Sequence, residues 1–424
     1  MNKINDYIQM WESLGIDVEK HNELMESMSR IHEKLFLSQK NRPDMMGRFD
    51  ESFHNSHSER VREIIDYKKA GGKAIGTFCI YIPDEIALAG GVIPLPLCGG
   101  SGWSVSYADK MLPRDICPLI RSTFGMAFSK TCPYGKLMDF DIGETTCDAK
   151  KKVWDLFGFK VLEVPQKKNP IDKDLWLKEV YNFKDMIEEL AGEKITPEKL
   201  KESIKLVNKK RSILQKISDF QKLSDPPISG LDVLLVSQVA LNQDINKFIS
   251  DGQALIEELE DRVRKGVCAY EKKGKRVLMA GSPSPMGYAK IHSIVESAGL
   301  RIVADESCTG QRYYRELVDE ESDNLDEMIK AIAERYFKID CSCFSPNKER
   351  LENIRNIVNE YKIDGVVQNI LQYCHCYNVE AKIVENDLKK ISIPSIKIVT
   401  DYSEEDIGQI RTRIEAFAEV LENK

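Results

Sequence analysis

The stretch Phe140-Asp141-Ile142-Gly143-Glu144-Thr145-Thr146-Cys147-Asp148-Ala149-Lys150-Lys151-Lys152 decides the fold class. Phe140 to Ile142 reads as a short apolar strand, Thr146 offers a capping hydroxyl, and Asp148 to Phe157 has the pattern of a helix. Lys160 to Val164 then restores a strand pattern. Strand, turn, helix and strand in succession make the βαβ unit of a parallel sheet, whose buried strands are continuous apolar runs.

The same texture extends toward the N-terminus. Ala74 to Ile80 and Val92 to Leu97 read as strands, and Asp84 to Ala89 and Pro118 to Phe128 as helices, which gives a first α/β domain over 71–171. Residues 1–70 read as a charged helical lead-in. Residues 172–270 carry long helical periodicity, as in Trp176 to Leu190 and Pro197 to Phe220, broken at Asp225-Pro226-Pro227, and read as a helical connector. The strand pattern restarts at Lys275-Arg276-Val277-Leu278-Met279-Ala280-Gly281, with further strands at Arg301 to Ala304, Gly365 to Asn369 and Ser395 to Val399. Helices are expected from Tyr288, Leu325, Lys348 and Glu404, so 271–424 is a second α/β domain. The expected architecture is α/β: two doubly wound Rossmann/flavodoxin-like domains with parallel sheets, joined by a helical segment.

Composition narrows the function. The 424 residues include 42% hydrophobic and 30% charged residues, an ordinary globular balance, and the net charge of -7 disfavours nucleic acid as a partner. The opening residues lack the apolar core of a secretory signal, and no apolar run approaches the roughly 18 residues of a membrane span. A cytoplasmic protein with no membrane association is the expectation.

Eleven cysteines in such a chain cannot all pair internally, and in a reducing compartment they indicate buried thiols, metal ligands or redox chemistry. Ligands of open α/β sheets collect beyond the carboxyl ends of the strands, so a cysteine just after a strand is placed for chemistry. Cys79, inside an apolar run, and Cys268 read as structural, and Cys98 is undecided. Cys147 and Cys117 stand at expected helix starts, where backbone N–H groups and the helix dipole favour a thiolate and lower its pKa. Cys132, Cys308, the Cys341-Ser342-Cys343 motif and the Cys374-His375-Cys376 motif are expected nearly all in strand-end loops. No CxxC knuckle of a zinc module and no ferredoxin run occurs, so single ligands from many loops point to an iron-sulfur site between domains.

Other candidates carry two readings each. His375, between two cysteines, is a proton donor or a supporting hydrogen-bond partner. Glu144 is an acid or base beside the site, or a carboxylate that caps the loop. His292 reads as structural, and His54 and His57 belong to the polar lead-in. The loop Gly281-Ser282-Pro283-Ser284-Pro285-Met286-Gly287 follows a strand but lacks GxGxxG and the P-loop Lys-Ser/Thr, so it reads as pocket wall.

The segment Glu144-Thr145-Thr146-Cys147-Asp148-Ala149-Lys150-Lys151-Lys152 resembles the signature of the 2-hydroxyacyl-CoA dehydratase and benzoyl-CoA reductase superfamily, over most of the chain from about residue 60. The resemblance implies a 4Fe-4S cluster held by Cys117 in Asp-Ile-Cys-Pro, Cys147 and Cys374. Glu306-Ser307-Cys308-Thr309-Gly310, Asp340-Cys341-Ser342-Cys343 and Thr131-Cys132-Pro133-Tyr134 look like the double-cubane cluster proteins, which implies Cys132, Cys308 and Cys341 as three further ligands. Cys343 and Cys376 are close substitutes. The resemblance also implies a homodimer and a separate ATP-hydrolysing activator protein with its own 4Fe-4S cluster.

The first functional expectation is therefore an anaerobic iron-sulfur reductase that reduces a small unsaturated molecule with low-potential electrons. The second is a subunit of a 2-hydroxyacyl-CoA dehydratase, a lyase with a single 4Fe-4S cluster. A non-catalytic electron carrier is the reading from another class.

Overall fold

Among residues 2–424, which the computed structural model describes, short strands form two four-stranded, wholly parallel sheets. The first contains β1 (Lys73–Thr77), β2 (Val92–Pro96), β3 (Phe140–Glu144) and β4 (Lys160–Leu162) in the order β2-β1-β3-β4. The second contains β5 (Arg276–Gly281), β6 (Arg301–Asp305), β7 (Gly365–Leu371) and β8 (Ser395–Thr400) in the order β6-β5-β7-β8. The two orders are equivalent. In each, the chain adds its second strand on one side of the first and its third on the other, so switch points fall between β1 and β3 and between β5 and β7. This is the two-domain α/β architecture expected from the pattern.

The inner strands are largely apolar because both faces of each sheet are covered there, while the edge strands β4 and β8 keep exposed positions such as Lys160 and Lys397. In β5, Val277 and Met279 join a core with Ile291, Ile294 and Phe417, while Leu278 and Ala280 join another with Ile354, Ile357 and Val384. In the first sheet, Ile75, Ile142 and Leu162 face Trp176, Val180, Phe183 and Ile187 of the helix Pro170–Ala191, and Trp154 covers the opposite side with Phe78 and Phe124. Gly143 makes that cover possible. A Cβ there would lie 2.3 Å from the Trp154 ring, whose Nε1 donates to the Glu144 carbonyl at 2.9 Å.

The connector consists of helices Pro170–Ala191, Pro197–Asp219, Gly230–Asn242 and Ile245–Arg264. It packs with the N-terminal helices: Leu24, Met28, Met46, Phe49 and Phe53 share one core with Ile213, Ile217, Leu231, Leu235 and Phe248. The helix Leu325–Phe337 follows β6 in sequence but packs on the first sheet's helices, where Trp176 Nε1 donates to the Ala333 carbonyl at 3.0 Å. These crossings fix the two sheets relative to one another and bring their carboxyl ends together. None of the described helices is long and apolar enough to cross a membrane.

Candidate functional site

A cavity of about 350 Å³ opens where the carboxyl ends of the two sheets meet, and nine of the eleven cysteines line it: Cys79, Cys98, Cys117, Cys132, Cys147, Cys308, Cys341, Cys374 and Cys376. All six residues expected as ligands are among them. Most come from a strand-end loop or helix start: Cys98 after β2, Cys147 after β3, Cys308 after β6, Cys374 after β7. Cys132 and Cys341 depart from the expected strand-end position, because the elements before them are the helices Pro118–Phe128 and Leu325–Phe337. Cys79 departs from its expected core position, because β1 ends at Thr77 and leaves Cys79 in the loop beyond it. A strand end earlier than the apolar run suggested was the missing signal. Cys343 and Cys268 lie outside the lining, and Cys343 is buried in the core of the first sheet.

The thiols fall into neighbourhoods. Cys374 is close enough to Cys117 and Cys147 for their charges to raise its pKa, and Cys147 does the same to Cys117. Burial is the main cause that raises Cys79 and Cys308; Cys308 and Cys341 add to it at Cys79, Cys341 adds to it at Cys308, and Cys341 also adds to it at Cys147, so the two neighbourhoods adjoin. Cys132 sits instead beside Asp141 and the N–H groups of Gly135 and Tyr134. Among the described residues no three His, Cys, Asp or Glu side chains converge as they would on one metal ion; the thiols are spread around the wall.

Cys117 and Cys147 occupy the N-cap positions of helices Pro118–Phe128 and Asp148–Phe157, as expected. Their expected acidity is not found. Burial pushes Cys117 up to about 11 despite the N–H groups of Leu119 and Ile120, and raises Cys147 despite the Lys150 charge, because desolvation of a thiolate exceeds what partial charges return. Cys341 is the exception. The Cys343 thiol donates to it, Arg312 and Lys150 add positive charge, and its pKa falls to about 6.

Two buried cations support the thiols, and neither was singled out in the sequence. Of the three consecutive lysines, Lys152 is 84% exposed and Lys151 33%, whereas Lys150 is 15% exposed and lines the cavity. Its ammonium donates to Glu144 Oε1 at 2.7 Å and to the Phe78 carbonyl at 3.2 Å. Glu144, fully buried, also accepts from Thr146 Oγ1 at 2.5 Å and lies behind the lining. Arg312, also fully buried, donates from Nε to Asp340 Oδ1 at 2.8 Å and from one terminal nitrogen to Cys308 Sγ at 3.5 Å. It further pairs with Glu306 and donates to the Tyr377 hydroxyl.

The loop after β7 is shaped by Tyr373, whose φ of 60° turns the chain so that Cys374 caps the helix His375–Lys390. His375 is exposed and lines the mouth of the cavity. Ser282, Pro283, Pro285 and Met286 form wall, as expected of that loop. His292 hydrogen-bonds Asp305 at 3.0 Å in a structural role. His57 departs from its assignment to a polar lead-in: it is buried, lines the cavity and stacks on His21 with ring centroids 5.2 Å apart. Only the docking of the N-terminal helices puts it there.

Comparison with known proteins places the chain in a family. The family model for the 2-hydroxyglutaryl-CoA dehydratase D-component matches residues 79–421. The chain is 35% identical to a provisionally named dehydratase subunit of Escherichia coli (strain K12), YjiM, over 89% of this chain and 99% of that protein. It is 26% identical to the (R)-phenyllactyl-CoA dehydratase beta subunit of Clostridium sporogenes, over 84% and 93% of the two chains. It is 22% identical to one of the benzoyl-CoA reductase subunits from Thauera aromatica, over 82% and 91%. The chain belongs to the 2-hydroxyglutaryl-CoA dehydratase D-component family.

Proposed function

We propose that this protein is an iron-sulfur reductase of that family, with a double-cubane-type cluster in the cavity and electrons delivered by an ATP-hydrolysing activator protein with its own 4Fe-4S cluster. The observation that carries the reading is the convergence of nine thiols, drawn from the loops of both sheets, on one cavity. Thiolates are the usual ligands of iron-sulfur clusters, and a spread of thiols suits a multi-iron group better than a single ion. Cys117, Cys147 and Cys374 would hold one cubane. Cys308 and Cys341 would hold the other with Cys132 or Cys79, and the grouping of Cys79 with Cys308 and Cys341 favours Cys79 as that third ligand. The cluster, when bound, supplies low-potential electrons.

The residues of the chain supply the rest. The thiols must lose their protons on binding iron, and Lys150 and Arg312 place positive charge where thiolate charge develops. Ile80, Leu97, Leu241 and Met286 form an apolar wall that excludes water from a small unsaturated substrate. Each reduced bond consumes two electrons and two protons. His375, at the mouth, would pass protons inward from solvent, and Glu144 would act through Lys150 by holding its ammonium in place. The active form would be a cytoplasmic homodimer.

The names of the relatives favour a second reading, a dehydratase subunit with one 4Fe-4S cluster on Cys117, Cys147 and Cys374. Anaerobic purification followed by iron and sulfide counting separates the two. About eight iron atoms per chain support the double cubane and about four support the dehydratase, while zinc alone overturns both. Assay of the protein with an activator and ATP, against small unsaturated molecules and acyl-CoA thioesters, then distinguishes reduction from dehydration.

A further inference from the structure

Arg312 lies at the centre of a buried ionic network that ties together the three cysteine loops of the second domain. Its guanidinium bridges Glu306, just after β6, and Asp340, beside Cys341; its contact with the Tyr377 hydroxyl reaches the helix after Cys374. Arg350 extends the network from Glu306 to Glu380, and Asn347 joins Glu380 at 2.8 Å to the carbonyls of Asp340 and Cys341. Arg315 and Asn353 hold the other oxygen of Asp340 at 3.2 and 2.6 Å. The outcome is an arginine that cannot swing away, with one N–H aimed at Cys308 Sγ.

Among the described residues no guanidinium makes such a contact with Cys117, Cys147 or Cys374, although Cys147 lies near Cys341. Cys117, Cys147 and Cys374 are approached by backbone N–H groups at helix starts, from Leu119 and Ile120, Lys150, and Tyr377 respectively. Those groups are backbone donors, whereas the Arg312 N–H belongs to a cation; Glu306 and Asp340 balance its charge, so what sets the Cys308 side apart is the charge-assisted N–H···S contact itself. Lys150 does not create the asymmetry, because it lies near thiols of both sets.

We propose that Arg312 is a positioning residue that gives the Cys79, Cys308 and Cys341 side of the cavity a higher electron affinity than the Cys117, Cys147 and Cys374 side. An electron entering the site comes to rest beside Cys308. One-electron reduction adds one negative charge there and makes or breaks no bond, and the charge-assisted N–H···S contact strengthens as that charge arrives. The inference rests on the iron-sulfur reading.

The test is a redox titration of the anaerobically purified, iron-loaded chain with dithionite, followed by electron paramagnetic resonance. Wild type is compared with Arg312→Lys and with the double variant Glu306→Gln/Arg312→Gln, in which charges are removed as a pair to spare the fold. In the double variant the reduced-to-oxidised ratio of one cluster component, at fixed potential, falls about tenfold, or about 59 mV for a one-electron couple. The other component is unchanged. Arg312→Lys, which keeps the charge but not the fork, shifts the same component about threefold in the same direction, and carries the test if the double variant does not fold. No shift, an equal shift of both components, a single component in wild type, or loss of iron from a folded variant overturns the proposal. Absence of iron from wild type overturns the iron-sulfur reading itself.

Discussion

The Lys150 ammonium lies 2.7 Å from Glu144 Oε1, and the carboxylate it meets is completely buried. The pair links the last residue of β3 to the first turn of the following helix, on either side of Cys147. Removing one partner leaves an uncompensated charge, which costs about 3–5 kcal/mol, whereas removing both is far milder. Lys150→Met is therefore expected to be strongly destabilised, and Glu144→Gln/Lys150→Met to recover most of the loss. Denaturant unfolding of the single and double variants measures the coupling; additive effects of the two substitutions would show that the pair is not coupled.

The thiol neighbourhoods predict an order of iron loss. Cys147→Ala, Cys308→Ala and Cys341→Ala are each expected to lose part of the bound iron, and Cys268→Ala and Cys343→Ala to retain it. Cys79→Ala is expected to lose more iron than Cys132→Ala, since Cys79 neighbours Cys308 and Cys341 while Cys132 faces Asp141. Iron content per folded chain is the measurement. The reverse ranking would return Cys132 to the second set of ligands.

Tyr373 holds a left-handed backbone and the residue is 44% exposed, so packing repays little of the strain. Such a conformation costs a non-glycine residue about 1–2 kcal/mol, partly offset in glycine by greater freedom of the unfolded chain. Tyr373→Gly is expected to raise stability by up to about 1 kcal/mol, and Tyr373→Ile to lower it by about 1 kcal/mol. Thermal unfolding of the three proteins checks the order; a destabilised glycine variant contradicts it.

Glu188, remote from the cavity, gives a pH dependence. Burial pushes its carboxyl up, but Lys194 at 2.6 Å, Lys184 at 2.9 Å and the Ile195 N–H at 3.0 Å outweigh that and hold it at about 2. A carboxyl more acidic folded than unfolded contributes stability above the ordinary value of 4.5, and loses it as pH falls from there toward 2. The Glu188→Gln variant should be less stable than wild type at pH 6 and converge on it near pH 2. Unfolding midpoints across that range provide the test, and parallel curves would exclude the linkage.

Strand pattern was legible because it is local. Val277 to Ala280 are apolar in unbroken succession since both faces of β5 are covered, and Cys117-Pro118 marked a helix start that the structure contains. Thiol acidity was not legible. The helix start at Cys117 was visible in the sequence, but burial, which reverses its effect, depends on residues far along the chain.

The sequence by itself determined that the chain alternates strands and helices twice, that several of its cysteines follow strands, and that Glu144 to Lys152 resembles a known signature. Only the tertiary structure decided which thiols share a wall. Cys79 and Cys341 share it because folding brings the loop after β1 and the loop after the helix Leu325–Phe337 to one cavity. The same folding turns Lys150 inward while Lys152 stays in solvent, and places Arg312 against Cys308. Periodicity sets which face a side chain occupies on its own element; what that face meets is set by long-range packing of both sheets and the helices between them.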